Sequence, residues 1–148
     1  MLDRAFFRQL GIDVVKKYRQ HIFDGGKDVT GKKFKPYTSA YGKAKRAGKL
    51  FKQDAASRSS RGPWVVGDLR NDLGFHNVKK TGVQIGWTKE GGKIGYLTKL
   101  NRKVTTPRQP LPKGIIRYIM KEARKTVKKK IKKKFPDGKV IRLPIGRK

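Results

Sequence analysis

The chain has 148 residues, with 40 Lys and Arg against 10 Asp and Glu, a formal net charge of +30. Useful surface charge on a small domain is only about 2–8, and an uncompensated surplus repels itself and destabilises a compact state, so a polyanionic partner is the first expectation. Cysteine is absent, which excludes a disulfide framework and thiolate chemistry, and no run approaches the roughly 20 apolar residues of a membrane span.

The start, MLDRAFFRQLGIDVV, carries Asp3 and has no uninterrupted apolar core, unlike a secretory signal. Residues 2–23 read instead as an amphipathic helix. Leu2, Phe6, Leu10, Val14, Tyr18 and Ile22 recur every four residues, Phe7 and Val15 widen the stripe, and Gly25-Gly26 ends it. In the next stretch Gly31 and Pro36 oppose regular structure, while Phe34, Tyr37 and Tyr41 are placed to pin a loop to a core. A short helical turn fits Thr38–Gly48.

Residues 49–62 are polar, rich in Ser and Arg, and without apolar period. They read as a mobile basic loop, or as an arm that Arg58 and Arg61 anchor only in an assembly. Asp68 is placed to cap a short helix through Leu73. FHNV and VQIGW then form two strand-like runs, 74–79 and 83–88, around the turn Lys79-Lys80-Thr81-Gly82. Glu90-Gly91-Gly92 breaks the chain again, and Ile94, Leu97 and Leu100 fit a short helix or an irregular segment.

The prolines at 107, 110 and 112 demand an extended segment, and Pro112 opens the next helix. From there to Phe135 one helix is predicted. Its stripe is Ile115, Ile119, Ala123, Val127, Ile131 and Phe135, joined by Ile116 and Met120. The tail KVIRLPIGRK alternates enough for a short strand before Pro144. The fold class expected from these elements is α+β, a small antiparallel sheet packed against long N- and C-terminal helices, in a single domain over 1–148.

Little in the sequence supports catalysis, a metal, a cofactor or a small-molecule substrate. His21 and His76 lie in unrelated segments without ligand spacing. Asp68 and Asp72 stand four apart, but with Arg70 between them and Asp68 at a cap they read as structural, and neither Asp24-Gly25-Gly26 nor Glu90-Gly91-Gly92 has the setting of a phosphate loop. The basic run is more specific. Residues 121–134 hold nine Lys or Arg and one Glu, and they cover nearly all the circumference that the apolar stripe leaves. A merely solvated helix interleaves Glu for i,i+4 pairs, whereas like charges at that spacing cost a few tenths of a kcal/mol each. Lys121, Arg124, Lys125, Lys128, Lys129, Lys132 and Lys133 are therefore the expected polyanion contacts, without base-specific readout.

The order of motifs resembles that of the small tailed-phage virion-morphogenesis proteins, the tail-completion, neck or head-to-tail joining proteins. The first helix ends at Phe23-Asp24-Gly25-Gly26, and Gly31-Lys32-Lys33-Phe34-Lys35-Pro36-Tyr37 follows. Gly67-Asp68-Leu69-Arg70-Asn71-Asp72-Leu73 is similar to the family's Gly-x-Leu-Arg-x-Ser segment. A strand pair ending in Val83-Gln84-Ile85-Gly86-Trp87 precedes Tyr96–Asn101, which stands where the family keeps a His-Gln-x-Gly motif. Pro107-Arg108-Gln109-Pro110-Leu111 resembles its Pro-x-Arg-x-Phe motif. The likeness covers roughly residues 5–130 and leaves the Lys-rich end of the last helix unexplained.

The resemblance implies a homo-oligomeric ring at the head-to-tail junction of a virion, assembled in the host cytoplasm. Neighbouring neck, connector or tail proteins would be its partners, with duplex DNA in the channel. Duplex DNA carries about one negative charge per 1.7 Å, enough to neutralise a ring of such subunits. A second expectation from the composition alone is an RNA-binding subunit of a ribosomal or other ribonucleoprotein, where small Lys-rich, Cys-free chains are common.

Overall fold

The computed structural model describes residues 2–50, 53, 68–100 and 102–136. Helix α1 spans Arg4–Arg19 and continues as one π-helical turn over Gln20–Asp24, and α2 spans Ser39–Ala47. A short helix α3 (Asp68–Asp72) leads into strands β1 (Gly74–His76) and β2 (Gln84–Gly86). Helices α4 (Gly91–Lys99) and α5 (Lys113–Lys134) complete the order. The fold is α+β, as the sequence predicts. The residues from 54 to 62, with Arg58 and Arg61, and the strand expected near 140–143 lie outside the described residues.

Helix α1 starts where Asp3, in extended conformation, accepts the Phe6 backbone N–H at 2.9 Å, a capping bond that satisfies one orphan donor. Its predicted stripe is the centre of the core: Leu10, Val14, Val15, Tyr18 and Ile22 are all buried. The helix does not stay regular to its end. Gly25 N–H bonds the Gln20 carbonyl at 2.7 Å, and the wider π turn advances each residue by less than the α-helical step. Ile22 and Phe23 consequently both point inward, each with no exposed surface.

Gly11 explains how the sheet approaches this helix. A Cβ there would lie 2.8 Å from Phe75 Cγ, so only glycine lets β1 press its aromatic ring against the α1 backbone. The two strands pair antiparallel with Phe75 opposite Ile85, and Lys79 N–H closes the predicted turn on the Gly82 carbonyl. Both are shorter than the expected runs 74–79 and 83–88. Asn77 takes a positive φ of 49° and leaves the strand region. Beyond Gly86, the N–H groups of Thr88, Lys89 and Glu90 go to the Asp72 carboxylate at 2.8–2.9 Å instead of to a ladder.

Those bonds also correct the expectation of a break at Glu90-Gly91-Gly92, because α4 begins there with Glu90 as its N-cap. Asp72 holds the chain in the conformation that enters α4, which offsets the poor helix propensity of two glycines. Leu97 on α4 joins Leu69, Leu73, Val104 and Ile115 around α1. The glycine-punctuated loop is tied down by Asp28, whose Oδ1 accepts from Thr30 N, Thr30 Oγ1 and Lys32 N. Phe34 is buried as expected, whereas Tyr41 is exposed, its ring tilted against that of Tyr37 with centroids 4.9 Å apart.

Candidate nucleic-acid interface

Helix α5 begins where the carbonyl of Pro112 accepts from Ile115 and Ile116, a position where the missing proline N–H costs nothing. It stops before Pro136, which disfavours helical geometry in the residue ahead of it. Lys132, Lys133 and Lys134 fill its last turn and interact favourably with the negative end of the helix dipole.

Two bonds fix α5 antiparallel to α1. Tyr118 Oη donates to Asp13 Oδ2 at 2.9 Å, and Lys130 Nζ meets Asp3 Oδ2 at 2.5 Å at the start of α1. Lys17 Nζ sits 4.5 Å from the Tyr118 ring centroid, and desolvation together with the Asp13 bond pushes the Tyr118 hydroxyl up to about 12. The Lys130 bond and the Phe6 cap together hold the Asp3 carboxyl below the usual range.

The expected single stripe divides in two. Ile115 is buried, and Tyr118, Ile119, Glu122, Ala123, Thr126 and Lys130 are half-buried along the side that faces α1. Ile116, Met120, Val127, Ile131 and Phe135 are exposed. The division has a geometric cause. At about 100° per residue, Ile116, Val127, Met120 and Ile131 fall roughly 60–120° around the helix from Ile119, Ile116 at the near end and Ile131 at the far one. Helix α1 begins opposite Lys130, so nothing from α1 covers the turns beyond it.

Lys121, Arg124, Lys125, Lys128, Lys129 and Lys132 occupy the remaining arc, all exposed. It spans about 140° of the circumference at 100° per residue, less than the sequence alone implies. Lys133 is also exposed but follows Ile115 by about five full turns, so it continues the α1-facing line past the end of α1. Arg117 belongs to the arc although the basic run does not include it; its spacing of four before Lys121 is the signal that finds it. From Arg117 to Lys132 the arc runs about 22 Å at 1.5 Å per residue. Among the described residues no carboxylate pairs with these six cations or with Arg117.

Elsewhere the polar groups serve the fold. The Asp72 carboxyl is held at about 2, first by the Glu90 N–H and the Thr88 hydroxyl, a structural anchor and not half of an acid–base pair. His21 Nε2 lies 2.9 Å from the Asp28 carbonyl, and His76 belongs to β1. Among the described residues no three His, Asp or Glu side chains are placed to hold a metal ion, and no helix is long and apolar enough to cross a membrane. No family model, no curated protein and no solved structure matches the chain.

Proposed function

We propose that this chain is a structural subunit of a tailed-bacteriophage virion. It forms part of the homo-oligomeric head-to-tail junction, a neck or tail-completion ring, and turns the basic arc of α5 to the duplex in its channel. The observation that carries the DNA contact is the arc itself, a row of exposed cations about 22 Å long with no carboxylate among the described residues paired to it. Such a surface binds phosphates by releasing condensed counterions and needs no base contacts. The order of sequence motifs supplies the placement at the junction. In this reading the protein performs no reaction and takes no cofactor; assembly and DNA contact are its whole activity, and neighbouring neck, connector or tail proteins are its partners.

Light scattering on size-separated protein, with and without nuclease, tests the reading. A multimeric mass that survives nuclease is the expected result, with duplex DNA binding by the purified protein. A single copy whose mass collapses on ribonuclease treatment overturns it in favour of a ribonucleoprotein subunit.

A further inference from the structure

Helix α5 carries a feature that phosphate binding does not use. Ile116 is 41 % exposed, Met120 51 %, Val127 39 % and Ile131 55 %. With Ala123 they follow one another at intervals of four, three, four and four residues, an apolar seam between the α1-facing side and the basic arc. Contiguous exposed apolar surface on a small protein marks an interaction site more often than chance, and phosphates gain nothing from isoleucine or methionine.

The width of the seam selects the kind of occupant. Its four exposed residues span about 60° of the helix at 100° per residue, and about 80° with Ala123. A helix lying in a membrane interface presents a face of about 100° or more with Trp or Phe along it; this seam is narrower, and the aromatic next to it, Phe135, sits at its end as the C-cap of α5. A narrow line with three- and four-residue spacing is the form that packs against one other helix, whose flanking charges then set partner choice.

The charge beside the seam selects the occupant's sign. Arg117, Arg124 and Lys128 border it on the side of the basic arc. Among the carboxylates whose side chains are described, a second copy of this chain offers little to meet them. Asp3 is held by Lys130, Asp13 by Tyr118, Asp24 by Arg70 and Glu90 by Lys93, while Asp28 and Asp72 hold their own loops and Glu122 is half-buried on the side facing α1. We infer that the Ile116–Met120–Val127–Ile131 seam receives an acidic amphipathic helix of a partner protein, with carboxylates against Arg117, Arg124 and Lys128. This goes beyond the DNA reading and stands without it, because Lys121, Lys125, Lys129 and Lys132 lie farther around the helix.

The test uses the full chain and a synthetic three-heptad peptide with Leu and Ile at its seam positions and Glu at the flanking ones. A scrambled peptide of identical composition is the control, with fluorescence anisotropy as the readout. The ordered peptide should bind roughly tenfold or more tighter than the scrambled one, as expected when a few apolar anchors carry an interface. The Ile116→Gln/Met120→Gln/Ile131→Gln variant should lose that advantage and keep its affinity for duplex DNA. A photo-cross-linker at Met120 in the otherwise unchanged protein should capture the peptide, and one at Lys125 should not, which covers the case of a variant that folds poorly. Equal binding of the two peptides reduces the surface to plain charge and overturns the inference. So does seam-dependent binding to phosphatidylserine vesicles without preference for the ordered peptide. Failure of the parent protein to bind DNA, with peptide binding intact, counts against the DNA reading alone.

Discussion

Tyr18 and Val104 are joined across the core by a hydrogen bond from the tyrosine hydroxyl to the valine carbonyl at 2.6 Å, with the Pro110 carbonyl 3.0 Å from the same oxygen. Tyr18 is fully buried and lies edge-on to Trp87 at 5.8 Å between ring centres. One side chain of α1 therefore anchors the irregular segment that links α4 to α5. That segment has no ladder or helix to satisfy its carbonyls, so the hydroxyl does it. Tyr18→Phe keeps the ring and leaves a buried acceptor unpaired, at a cost of about 1–3 kcal/mol. Urea denaturation should show the loss as a lower midpoint with an unchanged slope. An unchanged midpoint would mean that water reaches Val104 and that the segment is not sealed.

The divided stripe of α5 makes a paired prediction. Ile115→Ala should destabilise by about 2–5 kcal/mol, because Ile115 is 5 % exposed and its removal leaves a cavity. Ile131→Ala, at 55 % exposure, should stay within about 0.5 kcal/mol of the parent. Comparable losses at both positions in thermal melts would show the outer seam to be covered within the chain itself.

The same helix shows what the sequence discloses and what it withholds. Helical period marks the existence and limits of α5 within a residue, and the glycines at 25 and 26 mark the end of the first helical segment. Period cannot say which of two adjacent apolar lines a neighbour covers. Here the neighbour, α1, touches only the line of Ile115 and Ile119, and its own start at Asp3 limits how far the cover reaches. The basic residues are legible for a related reason: charge on a helix surface needs no partner to be recognised. The strands are harder. Their lengths depend on Asn77 turning to positive φ and on Asp72 capturing N–H groups from residues 88–90, both tertiary events. Gly11 carries no sequence signal at all until Phe75 is seen beside it.

Lys45 gives a pH dependence. It is 2 % exposed, with its ammonium 3.4 Å from Tyr37 Oη and 4.7 Å from that ring's centroid. Burial, aided by the Arg102 charge, brings its pKa down to about 8 from an ordinary 10.5. Between those values the unfolded chain binds a proton that the folded one does not, so stability rises with pH across the window; below about 8 both states are charged and the burial penalty is complete. Melting temperature should therefore climb between pH 8 and about 9.5, below the range where the raised pKa values of Tyr18, Tyr37 and Tyr118 act in the opposite direction. Lys45→Met should flatten the climb. A climb of the same size in the variant would assign it to another group.

The basic arc makes the sharpest prediction about function. Lys121, Lys125, Lys129 and Lys132 follow one another at intervals of four, four and three residues, on the side of α5 away from both α1 and the apolar seam. Replacing all four with Gln changes helix propensity little and removes like-charge repulsion at i,i+4, so the variant should melt at or slightly above the parent temperature. Its affinity for duplex DNA should fall for every sequence alike. The decisive reading is the dependence on salt, because each phosphate that the variant no longer neutralises lowers the slope of log affinity against log salt by about 0.9. A drop equivalent to two to four phosphates, in a variant that still folds, places these lysines on the duplex backbone. A slope equal to that of the parent would assign the arc to an acidic protein partner or to solvent, and the polyanion contact would then have to be sought among cations on other elements.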